Sequence, residues 1–255
     1  KIHSFAFAQS EGKWLFIGGR TNGLHGFTTI TSFPKEFSNT KLYVVDPSTG
    51  QTWSRSIFAD LPFWKADQLR SMNMQYVQSG NKLYFLGGYG FDSTSNGLIS
   101  FPLLKVIDVN ETINAIINGI SIAPFVREIT DTRFQVTGGE MTYLGEYFYL
   151  VGGHKFTGPY RRNINNQTYT RKISKFRIND DGVSINISDY SEAVDSVEYH
   201  RRDMNLVPAI KPDGTEKYAI LYGGVFKIGI DLPYLNPIYI DSSSITVDFS
   251  YEQQM

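Results

Sequence analysis

The chain has 255 residues, with 24 Lys and Arg against 25 Asp and Glu, so its formal net charge is -1. That balance excludes a surface built to neutralise nucleic-acid phosphates, and a hydrophobic content of 41% excludes a charge-rich disordered chain. The absence of cysteine removes disulfides, thiolate metal sites and cysteine nucleophiles, and the four histidines form no HxH or HExxH pair.

The rest of the composition points to strands: aromatics make up 15%, and 23 glycines punctuate the chain. In chain order, a first strand at Ile2–Ala8 and a turn at Glu11-Gly12 precede an apolar strand, Trp14–Gly19, that closes in a Gly-Gly pair. A loop, Arg20–Thr40, leads to a third strand at Lys41–Asp46 and a fourth at Gln51–Ile57. A helical turn is expected at Lys65–Ser71. The series then recurs, with an apolar run Leu83–Gly88, a loop Tyr89–Pro102, and strands at Leu103–Asp108 and Ser121–Val126. Between those two strands, isoleucines at 113, 116, 117 and 120 predict a short helix over Asn110–Ile120, capped by Asn110. The third round has Phe148–Gly153, a loop His154–Arg171, Ile173–Asp180 and Val183–Ser188. The fourth has Ala219–Gly224, a loop Val225–Leu235, Asn236–Asp241 and Ser244–Ser250.

The first glycines of the pairs are Gly18, Gly87, Gly152 and Gly223, spaced 69, 65 and 71 residues apart. One repeat of four short antiparallel strands therefore occurs four times. Glycine at these points allows positive φ and close backbone approach. A fifth pair, Gly138-Gly139, falls outside the spacing and follows no apolar run. Arg70–Met74 resembles Arg201–Leu206, which puts Asn73 and Asn205 at equivalent positions facing a central channel. Apolar runs stay far below the roughly 18 residues of a membrane helix.

A double glycine closing the second strand, four strands per repeat and Trp53 near the fourth resemble the Kelch repeat of β-propellers. Longer strings, His3–Gln9, Ile17–Phe27, Val136–Met141, His200–Pro208 and Asp231–Pro237, resemble secreted Kelch-repeat proteins of Bacteroidetes-type bacteria. The resemblance implies an all-β, Kelch-type β-propeller with four four-stranded antiparallel blades, at about 1-64, 65-127, 128-193 and 194-255 of a single domain. Kelch propellers usually have six or seven blades, so these four are expected to form part of a larger ring whose first and last members here do not pair. The resemblance also implies export, either secreted or to the cell surface. It brings no assigned activity.

In an up-and-down blade, the loop after the second strand and the linker between blades emerge on one face. The long loops make that face the expected binding surface. Its candidates are Arg20, His25, Tyr89, Asp92, His154, Tyr160, Arg161, Arg162 and Tyr234 from the loops, and His200 and Arg201 from a linker. Aromatic faces stack on sugar rings or side chains, and arginines hold carboxylates and carbonyls. No catalytic residue, metal ligand or cofactor is assigned. Copper radical oxidases on Kelch propellers need a tyrosine–cysteine crosslink, which this sequence lacks. The reading is a non-enzymatic propeller recognising a protein or glycan, with no nucleic-acid partner and no membrane span. Two alternatives stay open. One is a carbohydrate-active epimerase, mutarotase or hydrolase, whose sign would be paired carboxylates and an arginine. The other is a structural subunit of a larger surface assembly, whose sign would be exposed apolar loop tips.

Overall fold

The computed structural model describes residues 1–28, 31–161, 166–214 and 216–253. The chain forms two compact units: Lys1–Thr137 with Lys155–Gln167, and Gly138–His154 with Thr168–Met255. Strands dominate both, and among the described residues no helix is long and apolar enough to cross a membrane.

In the first unit, β1 (Ala6–Ser10), β2 (Lys13–Ile17), β3 (Lys41–Val45) and β4 (Thr52–Ser56) pair in that order into an antiparallel sheet. Period-two alternation drives it. Ala6, Ala8, Leu15, Ile17, Leu42 and Val44 are fully buried on one face. The intervening Phe7, Trp14 and Phe16 meet edge-on or tilted on the other. A helical turn, α1 (Phe63–Ala66), runs on into a 3-10 turn at Asp67–Arg70. The second sheet has β5 (Gln75–Ser79) and β6 (Lys82–Leu86). Then comes an inserted hairpin, β7 (Tyr89–Asp92) and β8 (Gly97–Ser100), before β9 (Leu103–Asp108) and β10 (Val126–Thr130) complete it.

The isoleucine spacing does form a helix, α2 (Val109–Asn118), ended by Gly119 at φ 69°. Its cap differs from the expectation. Asn110 lies inside the first turn, and Asn81 of the β5–β6 turn does the capping. The Asn81 carbonyl accepts the Val109 N–H at 2.8 Å, and its Oδ1 accepts the Asn110 N–H at 2.8 Å. Val109, Ile113, Ala115 and Ile116 join the core shared by the two sheets of this unit. The fourth strand of the second sheet also departs from the expected Ser121–Val126. Pro124 sits in a 3-10 turn at Ala123–Phe125, where its fixed φ suits the turn and its missing N–H would break a ladder, so β10 begins at Val126.

The second unit contributes β11 (Glu140–Leu144) and β12 (Tyr147–Val151). A short ribbon of β13 (His154–Phe156) and β14 (Gln167–Tyr169) follows, then β15 (Lys172–Asp180) and β16 (Ile185–Val194). A bulge between Lys175 and Arg177 lets β15 and β16 run longer than their counterparts. The last sheet is β17 (Arg202–Ile210), β18 (Lys217–Val225), β19 (Ile238–Ile240) and β20 (Ile245–Val247). Tyr149, Val151, Ile173, Met204, Leu221 and Ile238 anchor its core.

The glycine pairs do more than turn the chain. Gly19, Gly88 and Gly153, the second members, have φ near 83–84° and donate their N–H groups to the carbonyls of Ser71 (2.7 Å), Val136 (2.8 Å) and Arg201 (2.8 Å). Those acceptors recur every 65 residues, just ahead of a first strand. A Cβ on Gly152 would stand 2.7 Å from the Arg201 carbonyl oxygen, so only glycine allows the approach. A second periodic series accompanies the pairs. Ser4, Asn73, Gly138 and Asp203 are left-handed, with φ of 58°, 52°, 65° and 53°. The Asn73 N–H donates to the Ser4 carbonyl at 3.1 Å, and the Asp203 N–H to the Gly138 carbonyl at 2.8 Å. This series gives the fifth glycine pair its place. It also corrects the expected match of Asn73 with Asn205: the counterpart of Asn73 is Asp203, and Asn205 lies within β17 opposite Tyr222.

Candidate functional site

Arg20 and Tyr89 directly follow their glycine pairs, and their main chains bridge to His3 and Met72. Both side chains lie inside, at 2% and 4% exposure, which corrects their expected place at loop tips. Arg20 donates from Nε to Asn22 Oδ1 (3.0 Å) and from Nη2 to the Pro34 carbonyl (2.9 Å), with its guanidinium 5.4 Å from the Phe33 ring. The Tyr89 hydroxyl donates to the Gly158 carbonyl at 2.6 Å. Burial lowers the Arg20 pKa and raises that of Tyr89. Both residues fasten loops to the sheets.

His25 and Tyr160 belong to the same underlayer. The His25 ring lies 4.4 Å from Phe33 and 4.9 Å from Tyr160, and Tyr160 lies 5.4 Å from Phe156. Asp92 caps the β7–β8 turn, accepting the Ser95 N–H at 2.8 Å. Arg161 is half-buried, and its Nε has no hydrogen-bond partner among the described residues. Arg162 lies outside the described residues.

Above this layer the first unit opens into a groove of about 530 Å³. Phe33, Phe91, Leu98 and Pro159 contribute to its apolar wall. Its only charged lining residue among those described is Lys35, whose Nζ stands 4.8 Å from the Phe91 ring centre. Arg70 also lies over the Phe91 ring, 5.4 Å from its centre, and is itself paired with Asp67 at 2.6 Å. Ser32 lines the groove with a buried Oγ that has no hydrogen-bond partner among the described residues. Among the described residues no Asp, Glu or His lines this space. Lys35 and Ser32 are not among the candidates that the sequence marks. Nothing in a loop of mixed composition marks which polar residues end in a groove.

In the second unit, Arg201 is fully buried. It donates to the carbonyls of Glu198 (2.7 Å), Gly223 (3.1 Å) and Asn236 (2.8 Å), pairs with Glu198 Oε2 at 2.9 Å, and lies 4.3 Å from the Tyr234 ring. Tyr234, 1% exposed, donates its hydroxyl to the Val197 carbonyl at 2.8 Å, and burial pushes its pKa up to about 12. These two residues tie the fourth long loop to the sheet, a correction to their expected role as ligand contacts.

His154 and His200 flank Tyr169, with ring separations of 5.7 Å and 3.7 Å. Arg171 donates from Nε to His200 Nδ1 at 3.1 Å, which leaves the ring proton on Nε2. Burial, then the neighbouring Arg202, holds His154 down at about 3; burial, then Arg171, lowers His200. Both imidazoles are neutral at pH 7. Nearby, burial and then the Asp203 charge raise the Glu140 carboxyl to about 7. Burial raises Asp203 as well, opposed by Arg202, whose Nε lies 3.5 Å from Asp203 Oδ2. Among the described residues no group of three or more His, Cys, Asp or Glu is placed to hold a metal ion.

No protein-family model matches the chain, and no curated protein matches it. Among solved structures, that of YjhT is similar over 96% of this chain and 68% of that one, with a TM-score of 0.59 at 13% sequence identity. The likeness is one of fold: an all-β, propeller-like architecture of successive four-stranded antiparallel sheets.

Proposed function

We propose that the chain is a Kelch-type binding propeller, part of a six- or seven-bladed ring, that is secreted or displayed at the cell surface and recognises a protein or glycan without turning it over. The observation that supports this reading is the groove of the first unit. It is concave, walled by Phe33, Phe91 and Leu98, and among the described residues it is lined by no Asp, Glu or His. Such a space holds a ligand and offers it no acid or base. Probing full-length protein on peptide and glycan arrays tests it. Phe91→Ala is expected to abolish the binding that the parent shows, with a melting temperature within about 3 °C. Binding indifferent to Phe33 and Phe91 would refute the assignment.

A second reading, a carbohydrate-active enzyme, is favoured by one observation: the Glu140 and Asp203 carboxylates share a partly buried site beside Arg202. Two carboxyls with raised pKa values are the raw material of acid–base chemistry. Turnover of a saccharide that is lost in both Glu140→Gln and Asp203→Asn would establish that reading in place of the first.

A further inference from the structure

The groove has a chemistry specific enough to name what it holds. Its wall is mostly carbon, from Phe33, Pro34, Phe91, Leu98, Ile99 and Pro159. A pyranose brings a hydroxyl on nearly every ring carbon, and the groups that take such hydroxyls in pairs are carboxylates and side-chain amides. Among the described lining residues there is no carboxylate and one side-chain amide, Asn96. An apolar side chain, by contrast, would lose water on all sides against this wall.

Two of its polar residues, Ser32 and Lys35, lie three residues apart in one loop. Lys35 has no carboxylate partner among the described residues, and its ammonium rests on the Phe91 face. Ser32 is 2% exposed, with an Oγ that lacks a hydrogen-bond partner among the described residues. A buried hydroxyl and a cation without a carboxylate partner, lining one groove from one loop, are both suited to an anionic acceptor. The edge of β8 is already engaged, because Ile99 bridges Thr157 and the Gly158 N–H donates to the Leu98 carbonyl at 2.7 Å. A ligand therefore docks by its side chains and does not add a strand. The groove is also open at the surface, so a segment passing through fits it better than a chain end.

We propose that the groove of the first unit is a docking site for an extended segment of a partner protein in which an apolar side chain is followed by Asp or Glu. The apolar group sits among Phe33, Phe91 and Leu98, and the carboxylate meets Lys35 Nζ and Ser32 Oγ. The inference rests on the binding reading above and adds the class of ligand.

The test uses eight-residue peptides on a Gly-Ser background, with Phe or Leu at the fourth position and Glu, Gln or Lys at the fifth, titrated against the full chain by fluorescence anisotropy. The Glu peptides are expected to bind about tenfold tighter than the Gln peptides, and the Lys peptides weakest. Lys35 is exposed, so Lys35→Met folds as the parent does. In that variant the Glu and Gln peptides should bind equally, whereas Lys35→Arg should keep the preference. Phe91→Ala should lose all of them. Equal affinity of the parent for Glu and Gln peptides, or a preference that survives Lys35→Met, overturns the proposal. Two further arms separate sources: peptides ending in a free carboxylate without Glu, and neutral and uronate-bearing oligosaccharides. Tighter binding in either arm, abolished by Phe91→Ala, overturns this inference and leaves the binding function standing. No binding of any probe by folded protein removes both.

Discussion

Replacing Glu140 with glutamine keeps the shape of the side chain and removes one ionisation. In the fold that carboxyl is raised from an ordinary 4.5 to about 7, first by burial and then by the Asp203 charge. Between those two values the folded state holds a proton that the unfolded chain has released. Stability therefore falls as pH rises through that window and levels off above it. Each pKa unit corresponds to about 1.4 kcal/mol, so the full shift would amount to about 3 kcal/mol. The carboxyl is partly exposed and titrates together with Asp203, so about 1–2 kcal/mol is the expected effect. Urea denaturation of the parent and Glu140→Gln at pH 5, 6, 7 and 8 measures it. The variant should be more stable by that amount at pH 8 and should show no gain at pH 5. A difference that stays constant across pH, or a loss of stability at pH 8, would show that burial and repulsion are not what governs this carboxyl.

Other perturbations separate scaffold from site. Gly145 has φ 63° with nothing near a built Cβ, so Gly145→Ala should cost about 1 kcal/mol by denaturant titration. Gly152→Ala, which also collides with the Arg201 carbonyl, should cost at least about 2 kcal/mol more. Tyr89→Phe removes only the hydroxyl bonded to Gly158 and should lose about 1 kcal/mol, whereas Tyr89→Ala should lose about 3–5 kcal/mol. Arg201→Met leaves the Gly223 and Asn236 carbonyls unmatched and should lose about 3 kcal/mol in the same assay.

The four-stranded repeat was legible because each strand obeys period two and each second strand ends at a position where only glycine fits. The left-handed series was not, for a physical reason. Ser4, Asn73, Gly138 and Asp203 are four residue types that share one backbone angle, imposed by the main-chain bonds around it. The helix over Val109–Asn118 was readable from its isoleucines, but its cap came from Asn81, distant in sequence and invisible to a local rule. The site was only partly legible. Composition showed that arginines and aromatics crowd the loops but could not tell inward from outward. Arg201 and Arg202 are adjacent, yet one spends its donors on backbone carbonyls while the other lies beside Asp203 and over Phe226 at 4.5 Å. Lys35 and Ser32 matter through the groove, a property of three loops folded together and of no single stretch of sequence.

Arg20, Tyr89 and Val225, each directly after a glycine pair, bridge through their backbones to the start of their own sheet. The bridge takes from this position an N–H and a C=O, which residues bearing a guanidinium, a phenol and an isopropyl group supply alike. Such a place works as a mounting bracket: the main chain fixes it to the sheet, and at Arg20 and Tyr89 the side chain then ties down a loop.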